Sequence, residues 1–260
     1  RDVSNLVTQG VKELEKQGCE IIHYFPLEYT IDGNDGILEP SGLLGNKLSA
    51  KIHFVTVPSI MLENIINCLA SCQLDVEDCI FAPYAAGLAT LNDNDKELGS
   101  TIIDFGAGIT SYAVFLQKTM VYCGFIPIGS KAITEDIAKS FMLDASTAER
   151  IKTINGAASV GYKDSQKMIN CKVNNLEDPF DHDERNISNA ELNDVINARI
   201  EEILTLIKST LERRGKFSSS QHNIVLTGGG SLLSGISHEA SKIFKNKTRL
   251  GKPISVSGLN

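Results

Sequence analysis

Thr101-Ile102-Ile103-Asp104-Phe105-Gly106-Ala107-Gly108-Ile109-Thr110 sets an Asp-led glycine turn between two apolar runs, the second being Ala113-Val114-Phe115-Leu116. About 120 residues further on, Ile224-Val225-Leu226 runs into Thr227-Gly228-Gly229-Gly230-Ser231 and then into a helical pattern. Glycine tolerates positive φ and lets a backbone approach a ligand closely, and free N–H groups in such turns make anion cradles. Two such turns predict one nucleotide held between them. In the first, the Gly106 and Gly108 amides are expected to face phosphate oxygens, with Asp104 holding a water of a bound Mg2+. A plain β-hairpin with an Asp turn is the competing reading of the first turn alone, and the second glycine cluster decides against it.

The 260 residues are 42% hydrophobic and 22% charged, which suits one or two globular domains and neither disorder nor a fibrous repeat. A net charge of −7 without a dense Lys/Arg tract leaves no electrostatic footprint for nucleic acid. No apolar run approaches the roughly 18 residues of a membrane span, and the N-terminus has no signal-peptide pattern. The chain opens at Arg1 inside a helical pattern, so a fragment of a longer protein is expected. Cys19, Cys68, Cys72, Cys79, Cys123 and Cys171 are scattered and read as free thiols of a reducing cytoplasm. Cys68 and Cys72 share a helical face, but no histidine lies near them in sequence to complete a tetrahedral site, so core packing is the favoured reading.

Apolar positions Val3, Leu6, Val7, Val11 and Leu14 predict a first helix. Strands follow at 21–25 and 47–55, joined by a loop or wide hairpin over 32–45, and a helix runs from Pro58-Ser59 to near Gln73. Residues 1–76 thus form a small α+β unit. A helix over 84–91, a polar break at 92–97, strands at 100–105, 111–116 and 121–126, and a helix over 131–141 capped by Ser130 come next. Another helix covers 144–155, and 173–186 reads as a polar, acidic loop. Its Asp178, Asp181, His182, Asp183 and Glu184 lack the spacing of a Ca2+ loop, so solvation is the expected state. Ser188 and Glu191 form a capping box for a long amphipathic helix whose inward residues are Leu192, Val195, Ile196, Ile200, Ile203, Leu204, Ile207 and Leu211.

Taken together, the two glycine turns with Ile126-Pro127-Ile128-Gly129, Ile133-Thr134-Glu135-Asp136-Ile137-Ala138 and Ala148-Glu149-Arg150-Ile151-Lys152 between them resemble the actin-like ATPase superfamily, and most closely its FtsA cell-division family. The likeness extends through Tyr29-Thr30-Ile31-Asp32-Gly33 and Lys51-Ile52-His53-Phe54-Val55-Thr56, so it covers nearly the whole chain. It implies an α/β chain with the actin-like (ribonuclease H-like) ATPase fold and an FtsA-type α+β subdomain. Residues 1–76 would be that FtsA-specific subdomain and 77–98 the end of large-lobe subdomain 1A. Residues 99–141 and 215–260 would be subdomain 2A, carrying the nucleotide motifs, and 142–214 subdomain 2B. The cofactors implied are ATP and Mg2+. The contacts would come from Asp104, Gly106, Ala107, Gly108, Thr110, Glu149, Lys152, Gly228, Gly229, Gly230 and Ser231, with Asp104 reaching the metal through water. Glu149 and Lys152 lie three apart on one helical face and can both point into a cleft, although a surface ion pair fits the same spacing.

The resemblance also implies partners: the C-terminal tail of FtsZ, further copies of the chain in a filament, and other division proteins. Arg185 and Arg199 match basic positions of the tail-docking lobe, and a guanidinium suits an acidic peptide. The alternative for Arg199, which interrupts the apolar stripe of its helix, is that its stem covers the core edge. Such a protein would be cytoplasmic and peripheral on the inner membrane face at the division site, attached through a terminal helix that this sequence lacks; the first phosphate loop is absent too. The chain departs from the family's usual pattern at Ala107, Ile109 and Ser111, and Ala82 stands where strongly hydrolytic relatives often carry an acid. These departures predict nucleotide binding with slow or negligible turnover and no confident catalytic residue. A small-molecule kinase of the same superfamily, or a pilus-assembly or cell-shape relative, is the alternative.

Overall fold

The computed structural model describes residues 2–158, 167–174, 182–215 and 222–254. The chain opens with α1 (Asp2–Glu15), β1 (Cys19–Ile31), β2 (Asn34–Ile37), β3 (Leu48–Pro58) and α2 (Ser59–Ser71). The three strands make an antiparallel sheet in the order β2-β1-β3. β1 is much longer than the strand expected at 21–25 because it continues through Pro26. Proline cannot donate to a ladder, and the register shifts between Pro26 and Glu28 to absorb it. Part of the expected loop over 32–45 is β2, folded back through positive-φ residues Asp32 and Gly33. The Asp32 carboxylate accepts from the amides of Asn46 and Lys47 and ties that excursion to the start of β3. Gly10 lets α1 lie close on β3, since a Cβ there would come 2.9 Å from the Phe54 ring.

After α3 (Ala82–Thr90), the expected polar break forms a short helix, α4 (Asp93–Leu98), because the Asn92 side chain accepts from the Asp95 amide. The meander β4 (Ser100–Phe105), β5 (Thr110–Leu116) and β6 (Thr119–Ile126) leads into α5 (Ser130–Phe141) and α6 (Ala145–Asn155). Next come β7 (Met168–Asn174), β8 (His182–Ser188), the long α7 (Asn189–Arg213), β9 (Asn223–Thr227), α8 (Ile236–Phe244) and β10 (Thr248–Leu250).

The main sheet runs β10-β9-β4-β5-β6, with β4, β9 and β10 parallel and β4-β5-β6 antiparallel. Period-two alternation splits its residues between two cores. Ile103, Phe105, Tyr112, Val114, Ile224 and Leu226 pack under α5, α7 and α8, whereas Ile102, Ala113, Phe115 and Val225 pack on the other face, with Leu91 beyond α3. A fully buried Ile, Leu or Phe stabilises by about 1.5–3 kcal/mol relative to exposure, so the seven buried apolar positions of α7, Leu192 to Leu211, dominate that lobe. The capping box of Ser188 and Glu191 starts α7 as the spacing predicts.

Three local expectations are corrected. Residues 173–186 contain much of a hairpin: β7 and β8 pair antiparallel from Met168↔Ser188 to Asn174↔His182, with Ile169, Cys171 and Ile187 buried. Acidic residues concealed that two-residue alternation; Asp178 and Asp181 lie outside the described residues. Ser130 does not cap α5; Gly129 holds that position, and the amides of Ser130 and Lys131 donate to the carbonyls of Gly106 and Ala107. Cys68 on α2, a helix with no buried residue, and Cys72 at its C-cap are both exposed, and only Cys171 of the six cysteines is fully buried. Among the described residues no His/Cys/Asp/Glu group is arranged to hold a metal, and no helix is long and apolar enough to cross a membrane.

The first sheet rests on the second unit through aromatic and imidazole contacts. His23 Nε2 accepts from the Phe81 amide at 3.0 Å, the Phe25 ring meets Tyr84 edge-on at 5.0 Å, and Val55 joins the core of Leu91, Phe115 and Val225.

Candidate functional site: a cleft between two glycine turns

β4 and β9 are adjacent and parallel, with Asp104 opposite Thr227, so the turns that follow them emerge at the same sheet edge. Gly228 has φ +82, and a Cβ there would lie 2.4 Å from Asp104 Oδ1. Gly230 sits equally tight against Phe105, with a Cβ position 2.4 Å from its ring. Gly229 has open space on that side, as does Gly108. The Ser231 hydroxyl donates to the Gly228 carbonyl at 2.7 Å and closes the 3-10 turn over Gly229–Leu232.

The first turn is built differently from expectation. The Gly106 amide donates to the Ile109 carbonyl at 3.1 Å, so it is spent inside the turn. The carbonyls of Gly106 and Ala107 receive the first amides of α5, which locks the turn to that helix. A Cβ on Gly129 would come 2.4 Å from the Ala107 carbonyl oxygen, so the close approach of α5 depends on glycine there. Thr110 is fully buried, and its hydroxyl donates to the Ile128 carbonyl at 2.8 Å. Asp104 is half-buried, and burial pushes its carboxyl above the ordinary carboxylate range.

α6 supplies the opposite wall. Asp144 caps it by accepting from the amides of Ser146 and Thr147, which holds its carboxyl down at about 2, chiefly through hydrogen bonds from Ser146 and Thr147. Two turns on, Lys152 is 8% exposed, and its ammonium reaches Glu149 Oε2 at 2.7 Å, Thr134 Oγ1 at 2.8 Å and the Ser130 carbonyl at 3.3 Å. The Thr134 hydroxyl also donates to Glu149. Burial alone would raise Glu149, but the bonds from Lys152 and Thr134 outweigh it and leave the carboxyl below its usual value. Glu149 and Lys152 are therefore an ion pair, but with Lys152 buried rather than at the surface as the competing reading had it, and they also line a cavity of about 440 Å3 with Gly229 and Gly230. Ser130, Gly156 and Leu233 are also among the lining residues, and none of the three was named as a contact. The i,i+4 spacing of Ser130 and Thr134 ahead of Glu149 was the available signal.

Arg185 and Arg199 both reach α5. Arg185 Nη1 donates to the Phe141 carbonyl at 2.7 Å at the end of that helix. Arg199 grips Asp136 with two bonds, Nε to Oδ2 at 2.6 Å and Nη2 to Oδ1 at 2.9 Å, while its Nη1 donates to Glu202. Those carboxylates raise the guanidinium's proton affinity further, with the Asp136 bonds first.

The fold finds its likeness in solved structures of the actin-like class. MreB5 of Spiroplasma citri bound to ADP superposes with a TM-score of 0.64 at 20% identity, covering 75% of this chain and 61% of that one. A PilM-PilN type IV pilus biogenesis complex gives a TM-score of 0.66 at 16% identity over 97% of this chain and 63% of that chain. These likenesses, with the paired turns on one sheet edge, define an actin-like ATPase fold. A family model described as Cell division protein FtsA matches residues 101–259, and one described as SHS2 domain inserted in FTSA matches residues 1–56. The chain belongs to the FtsA family of cell division proteins. The FtsA of Agrobacterium fabrum is 32% identical over 99% of this chain, which spans 58% of that relative's length.

Proposed function

We propose that this chain forms one wall and the floor of an ATP cleft in an actin-like division protein that uses ATP as a conformational ligand. The observation that carries the reading is that Glu149, Lys152, Gly229 and Gly230, nominated from separate parts of the sequence, line one cavity of about 440 Å3. A nucleoside fits a site of this size with a few convergent polar groups. Glu149 offers an acceptor for ribose hydroxyls, Lys152 orients Glu149, and the open sides of Gly229 and Gly108 leave room for backbone approach. The MreB5 neighbour was solved bound to ADP, which supports nucleotide binding by this fold.

Asp104 fits the metal role. Its half-buried carboxylate is disfavoured as an anion by desolvation, and a divalent cation beside it would offset that cost. A single carboxylate suits a Mg2+ that keeps most of its waters and takes the rest of its ligands from phosphate. Ala107 and Ile109 put aliphatic groups on the phosphate turn, and Ala82 offers no carboxylate to orient a water, so turnover is slow or negligible.

The wider role follows the family. The protein polymerises through copies of itself, meets other division proteins, and docks the C-terminal tail of FtsZ on the lobe that carries Arg185 and Arg199. Its place is the cytoplasmic face of the membrane at the division site. The direct test is fluorescence titration of the full-length protein with a ribose-labelled ATP analogue in Mg2+. Saturable binding by the wild type that weakens in Lys152→Met supports the cleft, and no saturable binding by the wild-type protein refutes it.

A further inference from the structure

Thr134 lies in the second turn of α5 and is 5% exposed, yet its hydroxyl bonds across to α6 rather than within its own helix. A helical threonine ordinarily donates to the carbonyl four residues back. Here that carbonyl, of Ser130, is 3.5 Å away, whereas Glu149 Oε2 is much closer and takes the hydroxyl hydrogen. Thr134 Oγ1 in turn accepts from Lys152 Nζ at 2.8 Å, and Lys152 also reaches the Ser130 carbonyl that the threonine gives up. Resting on the nucleotide-cleft reading above, we propose that Thr134 is a positioning residue which fixes the rotation of the Glu149 carboxylate, offers only Oε1 to the cavity, and thereby makes the site select a ligand with a 2′-hydroxyl over its deoxy counterpart.

The last torsion of a glutamate joins an sp3 to an sp2 carbon and has a broad, two-fold profile, so a free carboxylate exchanges its two oxygens. The Glu149 side chain is 54% exposed and would do so. Lys152 cannot stop it, because an ammonium on a flexible stem follows whichever oxygen is presented. A buried hydroxyl on a β-branched side chain is stiff at χ1 and adds a second, directed donor to the same oxygen. The result is a closed triangle. The ammonium's three hydrogens go to Glu149, Thr134 and Ser130, and the threonine's one hydrogen goes to Glu149.

Among the described residues none of these donors reaches Oε1. The Thr153 hydroxyl, next along α6, spends its hydrogen on the Glu149 main-chain carbonyl at 2.8 Å. Glu149 lines the cavity, so Oε1 is the acceptor left for a ligand there. An ionised carboxylate only accepts, and one of its oxygens has lone pairs for two donors. The 2′- and 3′-hydroxyls of a ribose, on adjacent carbons, supply two. A site built to bond a hydroxyl disfavours the analogue that lacks it, because its own polar group then loses a partner. Partial exposure of Glu149 lets water replace that partner, which keeps the expected discrimination moderate.

The experiment is calorimetric titration of the full-length protein with ATP and with 2′-deoxyATP in Mg2+, read as the ratio of the two dissociation constants. The wild type should favour ATP by about tenfold. Thr134→Val keeps the branched shape without the hydroxyl and should bring the ratio to within about twofold, while Thr134→Ser, which restores the hydroxyl, should keep it near the wild-type value. A threonine that merely packs α5 against α6 would weaken both ligands alike. An unchanged ratio in Thr134→Val, or loss of both ligands by that variant when folded, therefore overturns the proposal. Equal affinity of the wild type for the two nucleotides also overturns it and leaves the cleft reading standing, whereas no saturable binding of either refutes both. If Thr134→Val does not melt cooperatively, the half-exposed Glu149→Gln replaces it: a lowered ratio supports the proposal and a retained one overturns it.

Discussion

A Cβ added to Gly228 would lie 2.4 Å from Asp104 Oδ1 and 2.7 Å from the Phe105 carbonyl oxygen, so the two glycine turns are in direct contact. The parallel ladder of β4 and β9 places them there, by setting Asp104 opposite Thr227. The second turn can pass the first only with a hydrogen in place of a side chain.

Gly228→Ala should therefore injure both fold and site. Its φ of +82 already strains any L side chain, and the added methyl meets a backbone oxygen and a carboxylate that cannot retreat without moving β4. The expected loss is about 1–3 kcal/mol of stability, read by thermal melting, together with weaker ATP binding. Gly229→Ala, with open space at its Cβ, should leave melting near the wild-type value and affect only ligand binding.

Lys152→Met tests the ion pair behind the cavity. The substitution keeps the aliphatic stem but takes three contacts from Glu149, Thr134 and Ser130. Hydrogen bonds to charged groups contribute about 1.5–3 kcal/mol to stability, so the variant should melt lower, and nucleotide affinity should fall because Glu149 is no longer held at the cavity. Affinity within twofold of wild type would show that this pair only braces α6 against α5.

His222 predicts an acid-sensitive fold. Burial pushes the imidazole down to about 4, and it shares a 2.6 Å hydrogen bond with Thr101 in the main sheet. A histidine depressed in the folded state binds fewer protons than in the unfolded chain, so its contribution is complete above about pH 6.5 and drains away as pH falls toward 4. The slope attributable to this residue is at most about 1.4 kcal/mol per pH unit. Denaturant titrations at pH 7, 6 and 5 should show it in the wild type and much less of it in His222→Gln. Equal slopes would mean that other groups carry the acid response.

Asp144→Ala removes the side-chain cap of α6. At pH 7 the variant should be less stable by about 1 kcal/mol. The folded carboxyl lies at about 2, below its unfolded value, so the cap's contribution is present above about pH 4 and is lost as pH falls toward 2. The difference between variant and wild type should close over that window; a constant gap would point to packing rather than charge.

Signals carried by short segments were legible in the residues. The period-3.6 stripe of α7 and its Ser188/Glu191 box predicted a long buried helix, and that helix is present over Asn189–Arg213. The apolar runs around Asp104 and Gly228 marked two strands that end in turns. The sequence misled where polar composition hid an alternating pattern, as in β7 and β8, and where a helix is apolar yet uncovered, as in α2 with exposed Ile60, Met61 and Ile65. Apolar composition alone cannot say whether a partner surface is present.

By itself the sequence determined most of the helices, the main-sheet strands around the glycine turns and the turns themselves, because caps, glycines and hydrophobic period act over a few residues. It also carried the family likeness. Only the tertiary structure decided what those segments do to one another. The Gly106 amide is consumed within its own turn, and the turn's carbonyls cap α5. Arg199 was nominated as an open docking charge but is already held by Asp136, 63 residues away in the chain. Hydrogen bonds and ion pairs between remote residues depend on how helices pack across a sheet, and local pattern does not encode that distance.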